Sequence, residues 1–212
     1  AQGGHRHRDT LGIAYYAFGK EMMSDRGYMW DDPRNAWTSS TLAHNLVTVD
    51  GESQNTVNRH STLELFAVSP VVEVIQASSN AYAQCDEYRR TAVLVKLPGG
   101  GDYLVDFFRV KGGKKHQYAF HCNGTFMSVP GAAMRPAAME IKWLAGMREF
   151  SPKIPVIAAW EHDTIRFDVM MLNSVDRLLV VDAPGWRTSK GIDLNAKPIT
   201  QCIAERVDEK NA

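Results

Sequence analysis

Apolar and polar residues alternate along much of this chain, with the period of a strand rather than of a helix. Ile165, Phe167, Val169 and Met171 share one parity, against Thr164, Arg166, Asp168 and Met170 on the other. Ile141, Trp143, Ala145 and Met147 alternate with Glu140, Lys142 and Leu144, and Tyr103, Val105 and Phe107 oppose Leu104, Asp106 and Phe108. Successive side chains of a strand point to opposite faces, so these runs predict strands. Shorter apolar runs predict further strands over 12–18, 46–50, 63–68, 71–75, 91–97, 115–121, 126–129, 156–160, 178–181 and 199–207. Turn residues fall between them, at Asp50-Gly51, Pro98-Gly99-Gly100-Gly101, Lys111-Gly112-Gly113 and Pro184-Gly185. The best helical candidate, 132–140, is short and broken by Pro136. About a dozen strands, short turns and no helix-rich βαβ unit predict an all-β fold, an antiparallel stacked-sheet or β-sandwich domain.

The chain has 212 residues, enough for one medium β-type domain with a real core. Lys+Arg and Asp+Glu number 24 each, so the formal net charge is zero. That balance argues against a general nucleic-acid binder, which usually carries a basic excess. Sixteen Gly and nine Pro are ordinary and exclude a collagen-like or disordered chain. No run approaches the roughly 20 consecutive apolar residues of a membrane span. The opening AQGGHRHRD lacks the charged and then apolar segments of a signal peptide. A start at Ala1 fits a piece of a longer protein, or removal of an initiator Met. Cys85, Cys122 and Cys202 are far apart and form no CxxC, which argues against thiolate zinc sites and redox motifs. At most one disulfide is available to them, and buried free thiols are the expectation.

The densest polar cluster is His5-Arg6-His7-Arg8-Asp9. In an extended strand His5, His7 and Asp9 project together, and two imidazoles with a carboxylate suit a divalent metal or acid/base chemistry. A solvated basic chain end is the competing reading. The HxH spacing is that of a cupin metal motif, but the Glu which that motif needs is absent, since Leu11 and Gly12 occupy its positions. Asp25-Arg26-Gly27-Tyr28 reads as a turn, and His44 precedes a strand, a common place for a structural hydrogen-bonder. His116 and Tyr118 share a face of one predicted strand and His121 does not, which suits packing. Arg89-Arg90 suits bidentate binding of a carboxylate or sulfate, or a plain surface pair. Asn123-Gly124-Thr125 matches a glycosylation acceptor, a weak pattern. No GxSxG, P-loop or dinucleotide fingerprint occurs, and Gly99-Gly100-Gly101 reads as a hairpin turn.

Taken in order, these pieces resemble one family. They are Gly4-His5-Arg6-His7-Arg8-Asp9, Phe18-Gly19-Lys20, Asp25-Arg26-Gly27-Tyr28, the run Ser40 to Gly51 with its Ala43-His44-Asn45 and Val49-Asp50-Gly51, Tyr88-Arg89-Arg90-Thr91, and Tyr103-Leu104-Val105-Asp106. The order resembles the C-terminal β-domain of heparinase II/III-like polysaccharide lyases, a group that includes oligoalginate lyases. The resemblance covers most of the chain and is best from Gly3 to Asp50. It implies the sheet half of a lyase whose N-terminal (α/α) toroid is absent from these residues, and an acidic polysaccharide or oligosaccharide substrate cleaved by β-elimination at a uronic acid. That reaction needs a neutralised carboxylate, a base for the C5 proton and an acid for the leaving oxygen. The resemblance implies His5 as base or neutraliser and Tyr28 as a proton-transfer partner. It also implies a structural zinc held by His7, Asp25 and His44, with water in the fourth place. Action in the periplasm or outside the cell is a further implication. The competing functions are a non-catalytic carbohydrate-binding or scaffolding sandwich, which five Trp and seven Tyr could serve, and the cupin-type enzyme that the missing Glu disfavours.

Overall fold

The computed structural model describes residues 7–27, 29, 32–138, 140–152, 155–185, 187–188, 191–192 and 198–207. A hairpin of β1 (Tyr15–Ala17) and β2 (Lys20–Met23) comes first. The one-turn helix α1 (Asn35–Thr38) and a 3-10 turn over Thr41–Ala43 lead into β3 (Leu46–Val49). A meander follows, of β4 (Ser61–Val68), β5 (Val72–Ser79), β6 (Cys85–Lys96) and β7 (Asp102–Gly112). The rest is β8 (Lys115–His121), β9 (Thr125–Ser128), β10 (Arg135–Pro136), β11 (Ala145–Phe150), β12 (Val156–His162), β13 (Ile165–Met171), β14 (Arg177–Ala183), the short pair β15 (Arg187–Thr188) and β16 (Gly191–Ile192), and β17 (Ile199–Val207).

These strands make an all-β stack, as the alternation predicts. A six-stranded antiparallel sheet runs β10-β11-β14-β17-β8-β3, a three-stranded sheet runs β13-β12-β9, and the meander is a four-stranded sheet in chain order. The six-stranded sheet is covered on both faces. Leu178 and Val180 of β14, Cys202 and Ala204 of β17, and Phe120 of β8 pack with Val156, Ala158 and Trp160 of β12. The opposite parity, Leu179, Val181, Ile203 and Ala119, packs under Leu42, Ile141, Leu144 and Met147. That two-sided cover explains why 178–181 reads as an unbroken apolar run rather than an alternating one. Along β13, Phe167, Val169 and Met171 face the core, while Arg166 and Asp168 pair outside at 2.9 Å. Asp50 and Gly51 both take positive φ, 57° and 75°, as a two-residue hairpin turn requires.

Two expectations fail. The stretch 132–140 forms no helix among its described residues; Arg135 and Pro136 make the edge strand β10. Proline lacks the N–H that an inner ladder position needs, so an edge suits it. The strand expected from Glu140 starts only at Ala145, because the Leu144 N–H turns back onto the Ile141 carbonyl at 3.0 Å. Among the described residues no helix is long and apolar enough to cross a membrane.

Candidate metal centre

Three chain segments outside the large sheets converge at one point. The first carries His7 and Asp9 ahead of β1, the second carries Asp25 just after β2, and the third carries His44 between the 3-10 turn and β3. One ligand atom from each of His7, Asp9, Asp25 and His44 lies within 4.8 Å of the others. Local geometry sets the aim of each. Gly12 N–H donates to the Asp9 carbonyl at 2.7 Å and closes a tight turn. A Cβ on Gly12 would come within 2.8 Å of that carbonyl oxygen. Asp25 accepts the Gly27 N–H through Oδ1 at 2.7 Å, a local side-chain turn. Its other oxygen is thereby left facing the imidazoles, with His44 Nδ1 at 3.0 Å and His7 Nδ1 at 3.8 Å from Oδ2.

The charges agree with the geometry. Burial alone would raise the Asp25 pKa, yet hydrogen bonds from His44, His7 and the Gly27 N–H outweigh it and hold the carboxyl well below the usual carboxylate range. The hydrogen bond to Asp25 raises His7 above its ordinary 6.5 against the opposing effect of desolvation. Side-chain exposure is 10% for His7 and 4% for His44. His44 Nε2 is buried and has no protein partner among the described residues.

These donors fit a divalent ion. Ligand atoms about 2.0–2.2 Å from a tetrahedral centre stand roughly 3.3–3.6 Å apart. The 3.0 and 3.8 Å separations around Asp25 Oδ2 bracket that spacing. Two neutral imidazoles and one or two carboxylates are a nitrogen and oxygen donor set suited to zinc and its neighbours.

The structure therefore brings together His7, Asp25 and His44, and it adds Asp9 to them. His5 and Tyr28 lie outside the described residues. Arg89 and Arg90 do not act as a pair, because neighbours in a strand point to opposite faces. Arg89 Nε sits 3.0 Å from Glu64 and 3.5 Å from Glu87. Arg90 is 4% exposed, and its five N–H donors all have internal acceptors. This corrects the expectation that Arg90 holds substrate: no donor remains for a ligand anion. His116 Nε2 meets the Gly112 carbonyl at 2.8 Å, and His121 is buried with Nε2 2.9 Å from the Ser24 carbonyl, so both are structural. The Asn123 side chain is also engaged internally, accepting from Ser24 Oγ and donating to the Glu21 carbonyl. All three cysteines are free thiols.

Stacked antiparallel sheets with a His/carboxylate cluster on the loops before and beside them define a class: an all-β domain with a built-in candidate metal centre. The match of residues 1–167 to the family described as Heparinase II/III-like, C-terminal, identifies it further, and the chain belongs to that family. Among curated protein sequences none matches. Of solved structures, "Heparinase III-BT4657 gene product" is similar at a TM-score of 0.52 and 16% identity, covering 97% of this chain and 31% of that one. The heparan sulfate lyase HepC from Pedobacter heparinus is similar at a TM-score of 0.48 and 9% identity, covering 96% and 31%. At such identities the first likeness shows the fold alone. The chain spans 31% of the length of either protein.

Proposed function

We propose that this chain is the sheet domain of a polysaccharide lyase that cleaves uronic-acid-containing glycans by β-elimination. The family match over residues 1–167 carries the reading. In the whole protein an N-terminal toroid supplies the other wall of the substrate cleft. His5 serves there as base or carboxylate neutraliser and Tyr28 as proton-transfer partner. His7, Asp25 and His44, with Asp9 beside them, hold a structural zinc ion. A bound zinc contributes positive charge and a fixed coordination geometry. The chain's own part is to bring the segment before β1, the turn after β2 and the start of β3 to one point, which anchors the chain two residues from His5.

One experiment on the full-length protein tests both halves. Zinc per chain is measured beside the absorbance of unsaturated uronate released from acidic glycans. Near-stoichiometric zinc that is lost in His44→Ala, together with turnover abolished in His5→Gln, is the expected result. Sugar binding without turnover in the wild type would give the non-catalytic carbohydrate-binding reading instead. Unchanged metal and melting temperature in His44→Ala would remove the zinc site.

A further inference from the structure

Among the described residues, the β1–β2 ladder joins the first two segments that carry the cluster, and the Arg8 N–H meets the Ser39 carbonyl at 3.0 Å ahead of the third. A buried polar network rooted in the four-stranded sheet touches all three. Arg90 of β6 grips both oxygens of Asp106 on β7, each at 2.8 Å, and donates to Tyr118 Oη at 3.1 Å. Tyr118 Oη donates in turn to Asp106 at 2.6 Å. The remaining guanidinium nitrogen reaches out of the sheet, to the Leu11 carbonyl at 2.6 Å and the Asn45 carbonyl at 2.7 Å. One of those carbonyls lies two residues beyond Asp9, and the other lies next to His44.

Asn45 extends the connection. Its Oδ1 accepts the His121 N–H at 2.9 Å, and its Nδ2 faces the carbonyls of Ile13 at 3.3 Å and Ser24 at 3.4 Å. Ser24 precedes Asp25. A single guanidinium and a single amide therefore touch all three ligand-bearing segments. The backbone gives a second sign. Leu11 holds φ at 68°, a conformation that leucine rarely adopts. Strain of this kind persists only where the surroundings over-determine it, and the bond from Arg90 is made to Leu11's own carbonyl.

We propose that Arg90 is the positioning residue of the cluster. It fixes the spacing between Asp9 and His44, Asp106 and Tyr118 hold its plane, and Asn45 passes the constraint to Asp25. Lysine cannot replace it, because a compact ammonium lacks the planar fork that meets these acceptors at once. The inference rests on reading the cluster as a divalent-ion site.

The test uses the full-length protein and zinc itself. The zinc dissociation constant is measured by competition with a chromophoric chelator, well below the melting temperature of each variant. Melting is recorded without metal, and the Co2+ ligand-field spectrum is recorded alongside. Tyr118→Phe keeps the ring and its packing and removes only the hydroxyl. It is expected to stay folded, weaken zinc roughly tenfold and shift the cobalt bands; Arg90→Lys weakens zinc further, towards a hundredfold. A role in packing alone would lower melting and leave both affinity and cobalt spectrum unmoved. Folded Tyr118→Phe with wild-type affinity and spectrum would overturn the positioning role and leave the zinc reading intact. A wild-type protein that takes up no zinc would overturn the zinc reading, and this inference with it.

Discussion

The six-stranded and four-stranded sheets are made of similarly apolar strands, but they stand in different surroundings. In β14, Leu178, Leu179, Val180 and Val181 are each 0% exposed. In β4, Leu63, Phe66 and Val68 are 61%, 66% and 61% exposed. The first strand lies between two others in its sheet, with a second sheet on one face and Leu42, Ala137, Ile141 and Leu144 on the other. The second is an edge strand, and Ile75, the cross-strand partner of Phe66, continues the bare apolar surface onto the next strand. Side-chain pattern alone specifies a strand, while position in the stack decides what covers it. The four-stranded sheet is anchored through one end. There Tyr88, Phe108 and Val110 pack on Val47, Val49 and Tyr118, and Arg90 ties in the loops of the candidate metal centre.

The sharpest way to break this contrast is Trp160→Ala. Trp160 is fully buried between Phe120 and Phe126, with ring centroids at 6.1 and 5.2 Å. A loss of about 3–5 kcal/mol is expected in denaturant unfolding; less than about 1 kcal/mol would mean that the sandwich is not sealed. Leu179→Ala probes the opposite face and should cost about 2–4 kcal/mol. A value near zero there would show the layer of Leu42, Ala137, Ile141 and Leu144 to be a loose cover. Phe66→Thr carries the smallest expected effect, within about 0.5 kcal/mol, because an exposed strand position accepts a β-branched polar residue. It should also reduce concentration-dependent association in sedimentation, since flat apolar edges pair with other chains. A loss above about 2 kcal/mol at Phe66 would place that surface inside a core and end the comparison.

Two strands of the six-stranded sheet were legible residue by residue, and others within a few residues. β8 and β17 fall on the bounds that the apolar pattern marks, and the parity along β13 is the one that alternation predicts. The first half of β6, Cys85 to Arg90, escaped because Asp86, Glu87, Arg89 and Arg90 interrupt any apolar signal. Its inward residues Tyr88 and Arg90 are buried by partners from distant segments. Period two warns that Arg89 and Arg90 diverge, but their adjacency suggested a pair. At the cluster, composition and spacing suggested only the HxHxD strand; Asp25 and His44 entered through the family resemblance. Nothing local could have revealed Arg90, Asp106, Tyr118 and Asn45 as supports, because their contacts depend on how β6 lies against loops far away in the chain.

The placement of the cysteines turns the contrast between the sheets into something a reagent can read. Cys122 and Cys202 lie at 0% exposure inside the sealed sandwich, and burial raises both thiols above their ordinary range. Cys85 begins β6 in the open sheet and is only partly covered. Burial, aided by the charges of Asp50 and Asp86, pushes it up to about 11. Alkylation proceeds through the thiolate and requires access. Cys85 therefore labels from the native state at a rate set by pH, while Cys122 and Cys202 wait for the stack to open. Pulse alkylation read by peptide mass would clock the opening of the sealed stack through Cys122 and Cys202, with Cys85 as the internal reference and no foreign probe attached.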